Sequence, residues 1–291
     1  MAVIGFIGLG NMGLPMARRL RVAEHDVRCF DVSVDSMSRA TDAGLKPRPS
    51  VADAVAGADV VITMLPSGRH VLDVLVETAL PLAADALVID CSTIDVESCA
   101  AFHKSLGVKG FATLDAPVSG GTGGAAAGTL TFMVGGTESA FARAHDILRA
   151  MGKNIVHAGA SGAGQAAKIC NNMLAGISML AVSEALHLAK RLGLDPQKFF
   201  DIASTSSGQC WALTSYAPEP GLVAASPANR GYEGGFASEL MLKDLRLAEQ
   251  AAVASRSPAL LGAAAASVYA MHCAQGKGRL DFSSVIQILG A

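Results

Sequence analysis

Val3-Ile4-Gly5-Phe6-Ile7-Gly8-Leu9-Gly10-Asn11-Met12-Gly13 opens the chain and decides its fold. Val3 to Ile7 has the make-up of a short buried strand, and Met12 to Ala23 has the apolar period of a helix. Between them lies G-x-G-x-x-G in the strand–turn–helix setting that gives this motif its meaning. Gly8 permits a tight turn, Gly10 lets the backbone approach a pyrophosphate, and Gly13 lets helix and strand pack closely. The helix start then offers unpaired N–H groups and a positive dipole end to phosphate, with Asn11 and Met12 lining the turn. Pro15 falls in the first turn, where proline is tolerated.

The pattern continues outward. Asp26 to Phe30 forms the next strand and Asp31 ends it, at the spacing of an acid that accepts from ribose hydroxyls and repels a 2′-phosphate. No arginine follows at once, which favours NAD over NADP; the plainer use of Asp31 is a turn or helix cap. Strand-like runs at 60–64, 87–90 and 112–115 alternate with helical segments, which predicts a parallel sheet with helices on both faces. Short strands at 130–134 and 154–157 extend it. From Gly162 no strand is evident. Helical periods cover 162–192, 195–204, 238–254, 258–275 and 282–289, with an irregular, aromatic-bearing segment at 206–236. The expected architecture is therefore α/β: a Rossmann-type doubly wound sheet over residues 1–161, followed by an all-α domain over 162–291 built around one long helix.

Composition excludes several classes. The 291 residues are 51% hydrophobic and 16% charged with a formal net charge of −2. No basic block suggests nucleic acid. The apolar run Met173 to Val182 is short for a membrane span. The N-terminus enters a strand without a signal-peptide pattern, so the expectation is a cytoplasmic chain, or a mitochondrial-matrix one if a presequence was trimmed. The six cysteines have no C-x-x-C spacing and are expected to be buried free thiols in a reducing compartment. No histidine pair has metal-ligand spacing. Apolar surface in the helical half, around Met173–Val182 and Leu260–Tyr269, predicts a homodimer or homotetramer.

Gly162-Ala163-Gly164-Gln165-Ala166-Ala167-Lys168-Ile169-Cys170-Asn171-Asn172 is where chemistry is expected. Lys168 and Asn172 stand one helical turn apart on one face. Apolar flanks desolvate a lysine, disfavour its charged form and suit it to proton transfer near neutral pH. The bland alternative is a lysine snorkelling to solvent. Ser119-Gly120-Gly121 is either a flexible turn or a concavity of backbone N–H groups that binds a carboxylate. Thr93 either contacts a cofactor or caps the following helix. No Tyr-x-x-x-Lys pair is present, since Pro220, Phe236 and Cys273 follow the three tyrosines at that spacing.

Taken in order, these motifs resemble the β-hydroxyacid dehydrogenase family over nearly the whole chain. The matching pieces are Gly5–Gly13, Thr63-Met64-Leu65-Pro66, Asp90–Ile94, Asp115–Gly121, Leu130–Gly136, Gly164–Asn172, Ser207–Trp211, Gly234-Gly235-Phe236, Lys243-Asp244-Leu245 and Asp281–Val285. The resemblance implies an NAD-dependent oxidoreductase acting on a short 3-hydroxy acid. It implies Lys168 as the catalytic lysine and Asn172 as the amide that orients substrate and lysine. Ser119, Gly120 and Gly121 match the turn that holds the substrate carboxylate, and Trp211 and Tyr216 the aromatic wall of the pocket. Leu65, Pro66 and Thr93 match cofactor contacts, and Lys243 a lysine entering the closed site. His70 stands at a cofactor-contacting position where the family pattern has Asn. The competing expectation, of another class, is a non-catalytic NAD-binding module; it would need the glycine motif but not Lys168, Asn172 and Ser119 together.

Overall fold

The computed structural model describes residues 1–77 and 80–290. It divides into two compact units, Met1–Lys168 and Ile169–Ala291. The first holds a sheet of nine strands among the described residues: β1 Val3–Ile7, β2 Asp26–Phe30, β3 Lys46–Pro47, β4 Val60–Thr63, β5 Leu87–Asp90, β6 Ala112–Asp115, β7 Val118–Ser119, β8 Leu130–Gly135 and β9 Gly152–Gly159. Their order is β3-β2-β1-β4-β5-β6-β8-β7, with β9 also paired to β8. The helices of this unit are α1 Gly13–Val22, α2 Val34–Asp42, α3 Val51–Val55, α4 Gly68–Leu72, α5 Val96–Val108, α6 Gly121–Ala127 and α7 Glu138–Arg149.

Strands β3 to β6 run parallel around β1, so the sheet winds outward in both directions from the β1–β4 junction. Both faces are covered, as a parallel sheet requires. Ile4, Phe6, Ile62 and Ile89 pack with Met16 and Leu20 of α1 and Leu148 of α7. On the other face Ile7, Val61 and Val88 pack with Val55 of α3 and Phe102 and Leu106 of α5. The sheet departs from the wholly parallel expectation at one place: β8 is antiparallel to β6 and β7. The segment from Gly120 to Thr129 carries only the short α6, less than the dozen or so residues a parallel crossover needs, so β8 returns antiparallel. Helix α7 then supplies a full crossover and β9 pairs parallel to β8.

The second unit is helical. Helix α8, Ala163–Arg191, begins in the first unit and runs into the second, where α9 Pro196–Ala203, α10 Trp211–Thr214, α11 Ser238–Ser255 and α12 Leu260–His272 follow. Met179, Leu186, Leu213, Met241, Leu245, Tyr269 and Val285 form its core. The stretch at 206–236 is less irregular than its composition suggests, because it contains α10 and a 3₁₀ turn at Pro227–Arg230. Phe282–Ile288 is a 3₁₀ helix rather than an α-helix. At 29 residues α8 is long and apolar enough to cross a membrane by length and composition, which the shorter run seen in the sequence did not suggest. Of the cysteines, all free, only Cys29, Cys91 and Cys99 are buried; Cys170 is exposed and Cys210 and Cys273 are half-buried. Cys170 points outward because α8 is buried along only part of its circumference.

Candidate active site

Register builds the first part of the site. Ile7 pairs with Phe30 and with Thr63, Thr63 with Asp90, and Asp90 with Asp115, so five strands end in one row. Gly8, Asp31, Leu65, Thr93 and the Ser119 turn all follow that row, on the carboxyl edge where ligands of such sheets bind.

Gly8 has φ +97°, and a Cβ there would strike the Met64 carbonyl; a Cβ on Gly13 would strike the Gly8 carbonyl. The turn is therefore closed by glycine at both ends, while the Gly10 α-carbon faces open space. The Leu9 N–H donates to Asp31 Oδ2 at 2.6 Å and the Ser33 N–H to Oδ1 at 2.8 Å. Helix α2 is capped by Ser33, while Asp31 caps the turn before it by accepting from the Ser33 N–H. Asp31 is thus an acid fixed at the strand end by the glycine turn itself, with lone pairs left on both oxygens.

Asp90 anchors the next two strand ends. Its Oδ1 accepts from Thr63 Oγ1 at 2.7 Å and Ser92 Oγ at 2.6 Å, and Ser92 Oγ in turn accepts from the Leu65 N–H at 2.8 Å. Complete burial pushes this carboxyl up to about 6. Leu65, Pro66 and Thr93 therefore sit on loops tied together from beneath. Asp95 caps α5, so capping is not the work of Thr93. His70 is exposed on α4 and shares a hydrogen bond of 2.8 Å with Ser67 Oγ. Ser119 lies in β7 opposite Thr131, and Gly120 and Gly121 have φ of +130° and +61°, a turn that a side-chain-bearing residue would strain.

Lys168 is only 6% exposed, which sets aside the snorkelling alternative. On the same helix, Gln165 Nε2 donates to the Ser92 carbonyl at 2.7 Å and Gln165 Oε1 accepts from the Ile94 N–H at 3.1 Å. The first turn of α8 is thereby fastened to the loop that carries Thr93.

In the second unit Asn172 is buried and its Nδ2 donates to Asp244 Oδ2, while Lys243 Nζ lies 3.1 Å from Asp244 Oδ1. Trp211 stacks on Tyr216 at 4.8 Å, and Tyr216 on Phe282 at 5.5 Å. Trp211 is 53% exposed, so it is not a core plug. Tyr216 donates its hydroxyl to Asp281 Oδ2 at 2.9 Å, the same oxygen that accepts from the Phe236 N–H at 2.7 Å. Burial raises the Asp281 carboxyl, and burial with this neighbouring carboxylate raises the Tyr216 hydroxyl. Asp115, Gln165, Asp244 and Asp281 stand in the sequence only as parts of motifs; Gly162, Ile94, Asn172 and Tyr216, which help to fix them, lie 47, 71, 72 and 65 residues away, a signal no local pattern carries.

A doubly wound sheet with a glycine-closed turn, open space at Gly10 and a fixed acid one strand over has the shape a dinucleotide needs, and defines a dinucleotide-binding protein. Residues 3–159 match the family model described as the NAD binding domain of 6-phosphogluconate dehydrogenase. Residues 162–289 match the model described as NAD-binding of NADP-dependent 3-hydroxyisobutyrate dehydrogenase. The chain is 48% identical over 298 residues to the probable mitochondrial 3-hydroxyisobutyrate dehydrogenase of Dictyostelium discoideum, covering 98% of this chain and 90% of that one. It is 46% identical to the NAD-dependent L-serine dehydrogenase of Pseudomonas aeruginosa, covering 98% and 97%. The solved structure of Mycobacterium tuberculosis 3-hydroxyisobutyrate dehydrogenase with L-serine has a TM-score of 0.96 at 46% identity, covering 100% of both chains. The chain belongs to the β-hydroxyacid dehydrogenase family and, within it, is most like 3-hydroxyisobutyrate dehydrogenase. It is an NAD-dependent hydroxy-acid dehydrogenase.

Proposed function

We propose that the protein oxidises 3-hydroxyisobutyrate to methylmalonate semialdehyde, with Lys168 as the acid–base group. The observation that carries the chemistry is a buried lysine on the helix turn fastened to the Thr93 loop. The substrate choice rests on the names of relatives at 45–48% identity. Ser119, Gly120 and Gly121 hold the substrate carboxylate, so that the hydroxyl is presented to Lys168. Neutral Lys168 Nζ accepts the hydroxyl proton in oxidation, and as the ammonium returns it in reduction. NAD, held at the Gly8–Gly13 turn and Asp31, would supply the acceptor for a hydride from the hydroxyl-bearing carbon. Asn172 orients the lysine and the substrate, held in turn by Asp244. Trp211 and Tyr216 wall the pocket. Gly8, Gly10, Asn11, Met12, Gly13, Asp31, Leu65, Pro66, His70, Thr93 and Lys243 contact the cofactor, with Asp31 favouring NAD over NADP.

L-serine is the second reading, because the Pseudomonas relative is named for it and the Mycobacterium structure is titled with it. Tartronate semialdehyde, an aldehyde that such an enzyme would reduce rather than oxidise, is the third candidate. The test is the absorbance of reduced nicotinamide with each substrate at matched concentrations. A kcat/KM for L-serine above that for 3-hydroxyisobutyrate reverses the order, and turnover of neither points to another short hydroxy acid. Association of copies through the helical unit is also part of this reading. It is supported by exposed Leu174, Leu260 and Leu261.

A further inference from the structure

Asp115 ends β6 and is fully buried. Its Oδ1 accepts from the Gly162 N–H at 2.7 Å and its Oδ2 from the Gln165 N–H at 2.8 Å. These are N–H groups at the start of α8, which the helix itself cannot satisfy. The carboxylate also places negative charge at the positive end of the helix. Asp115 is therefore a cap delivered from the sheet rather than from the residues before the helix. The fit is close: a Cβ on Gly135 would come within 2.5 Å of Oδ1, and one on Gly164 within 2.8 Å of Oδ2.

His103 Nε2 meets the same Oδ1 at 3.0 Å, and its Nδ1 meets Thr113 Oγ1 at 2.7 Å. Cys99, His103 and Asp115 bring their ligand atoms within 4.8 Å of one another, as a metal cage would. Both ring nitrogens and both carboxylate oxygens are already engaged, however, and burial pushes the Cys99 thiol up, away from the thiolate a metal takes. The cluster is a hydrogen-bonded buttress behind the cap.

Two side chains thus key two segments, the end of β6 and the Thr93 loop, to one helical turn. Asp115 lies four residues before Ser119 on the segment that leads into the Ser-Gly-Gly turn. Gln165 grips Ser92 and Ile94, on either side of Thr93. Lys168 follows Gln165 by three residues, on the adjoining part of the same face. We infer that Asp115 and Gln165 are positioning residues that set Lys168 in place relative to the Ser119–Gly121 turn and the Thr93 loop. The inference rests on the acid–base role of Lys168.

The test uses Asp115→Asn, Gln165→Met and Lys168→Ala, singly and in pairs, in the full-length enzyme. An Asn at 115 cannot accept from both helix N–H groups, and a Met at 165 keeps volume while losing both grips. Each single variant should lower kcat by about tenfold or more, since small misplacements of reacting groups are costly. The KM for the hydroxy acid and the Kd for NAD by titration calorimetry should stay within about threefold, and the rising limb of the pH–kcat profile should move. In the Lys168→Ala background neither substitution should lower the residual rate further. Equal losses in both backgrounds, or unchanged kcat and pH limb in the single variants, would overturn the inference while leaving the lysine assignment intact. Full turnover by Lys168→Ala would sink that assignment and the inference with it. If Asp115→Asn does not fold, the result for Gln165→Met decides.

Discussion

Asn172 donates its side-chain amide to Asp244, a carboxylate that is only 2% exposed and that Lys243 flanks on its other oxygen. Exchanging the amide for a carboxylate would set two buried acids face to face. Asn172→Asp should therefore lower stability by about 2–4 kcal/mol at pH 7, more than Asn172→Ser, which merely removes a donor. Thermal unfolding of the two variants side by side checks this. The gap should narrow as pH falls and one acid takes up a proton.

Lys168→Ala should cost at least about 10² to 10⁴ in kcat, the range of a positioned acid–base group, with NAD binding near that of the parent. Lys168→Arg should not restore turnover, because a guanidinium does not deprotonate near neutral pH. Steady-state rates with 3-hydroxyisobutyrate measure both. Turnover near the parent level in Lys168→Ala would return this lysine to a packing role.

Asp31→Ala should raise the NADP-to-NAD ratio of kcat/KM by at least about tenfold, since the 2′-phosphate would no longer face a carboxylate. Loss of the acceptor for the Leu9 N–H should also weaken both dinucleotides. An unchanged ratio would mean that Asp31 only braces the turn.

His272 is fully buried, shares a hydrogen bond with Ser284 Oγ at 2.7 Å, and has its pKa pulled down to about 4 by burial. The unfolded chain binds the proton first as pH drops from 6.5, so this group's contribution is present above that value and is lost as pH falls toward 4. Well below 4 both states are protonated and the loss, on the order of 3 kcal/mol, is complete. Urea unfolding of the parent and His272→Gln across pH 4 to 7 should show the parent's advantage shrinking over that interval. A constant difference would contradict it.

Leu260 is 82% exposed and Leu261 67%, apolar surface that water covers at a cost. A dimeric or tetrameric mass in light scattering at micromolar concentration is expected, and Leu260→Lys with Leu261→Glu should shift the mass downward. A monomeric parent would remove the idea.

Local chemistry made the nucleotide half legible. A glycine turn between strand and helix, an acid one strand later and apolar runs of strand length are all short-range signals, and β1, β2, β5 and β6 begin and end where those signals place them. β3 and β7 have two residues each, too few to show an alternation. The reversal of β8 depends on how much chain α6 consumes, which hydrophobic period does not weigh. In sequence Asp90 is only a strand end and Asp244 only the middle of the motif Lys243-Asp244-Leu245. Their burial and partners come from chain segments 27 and 72 residues away. The cysteines were read as buried from apolar neighbours, but a helix such as α8 can present apolar neighbours and still face Cys170 outward.

The cap that Asp115 provides has a bearing on how the polypeptide matures. A helix capped from its own preceding residues can nucleate wherever it is made. The opening turn of α8 instead finds its acceptor on a carboxylate 47 residues earlier in the chain, at the end of β6. During elongation from the N-terminus the residues of the sheet are made before those of the helix. Opening of β6 would therefore also release the first turn of α8, the turn that leads to Lys168.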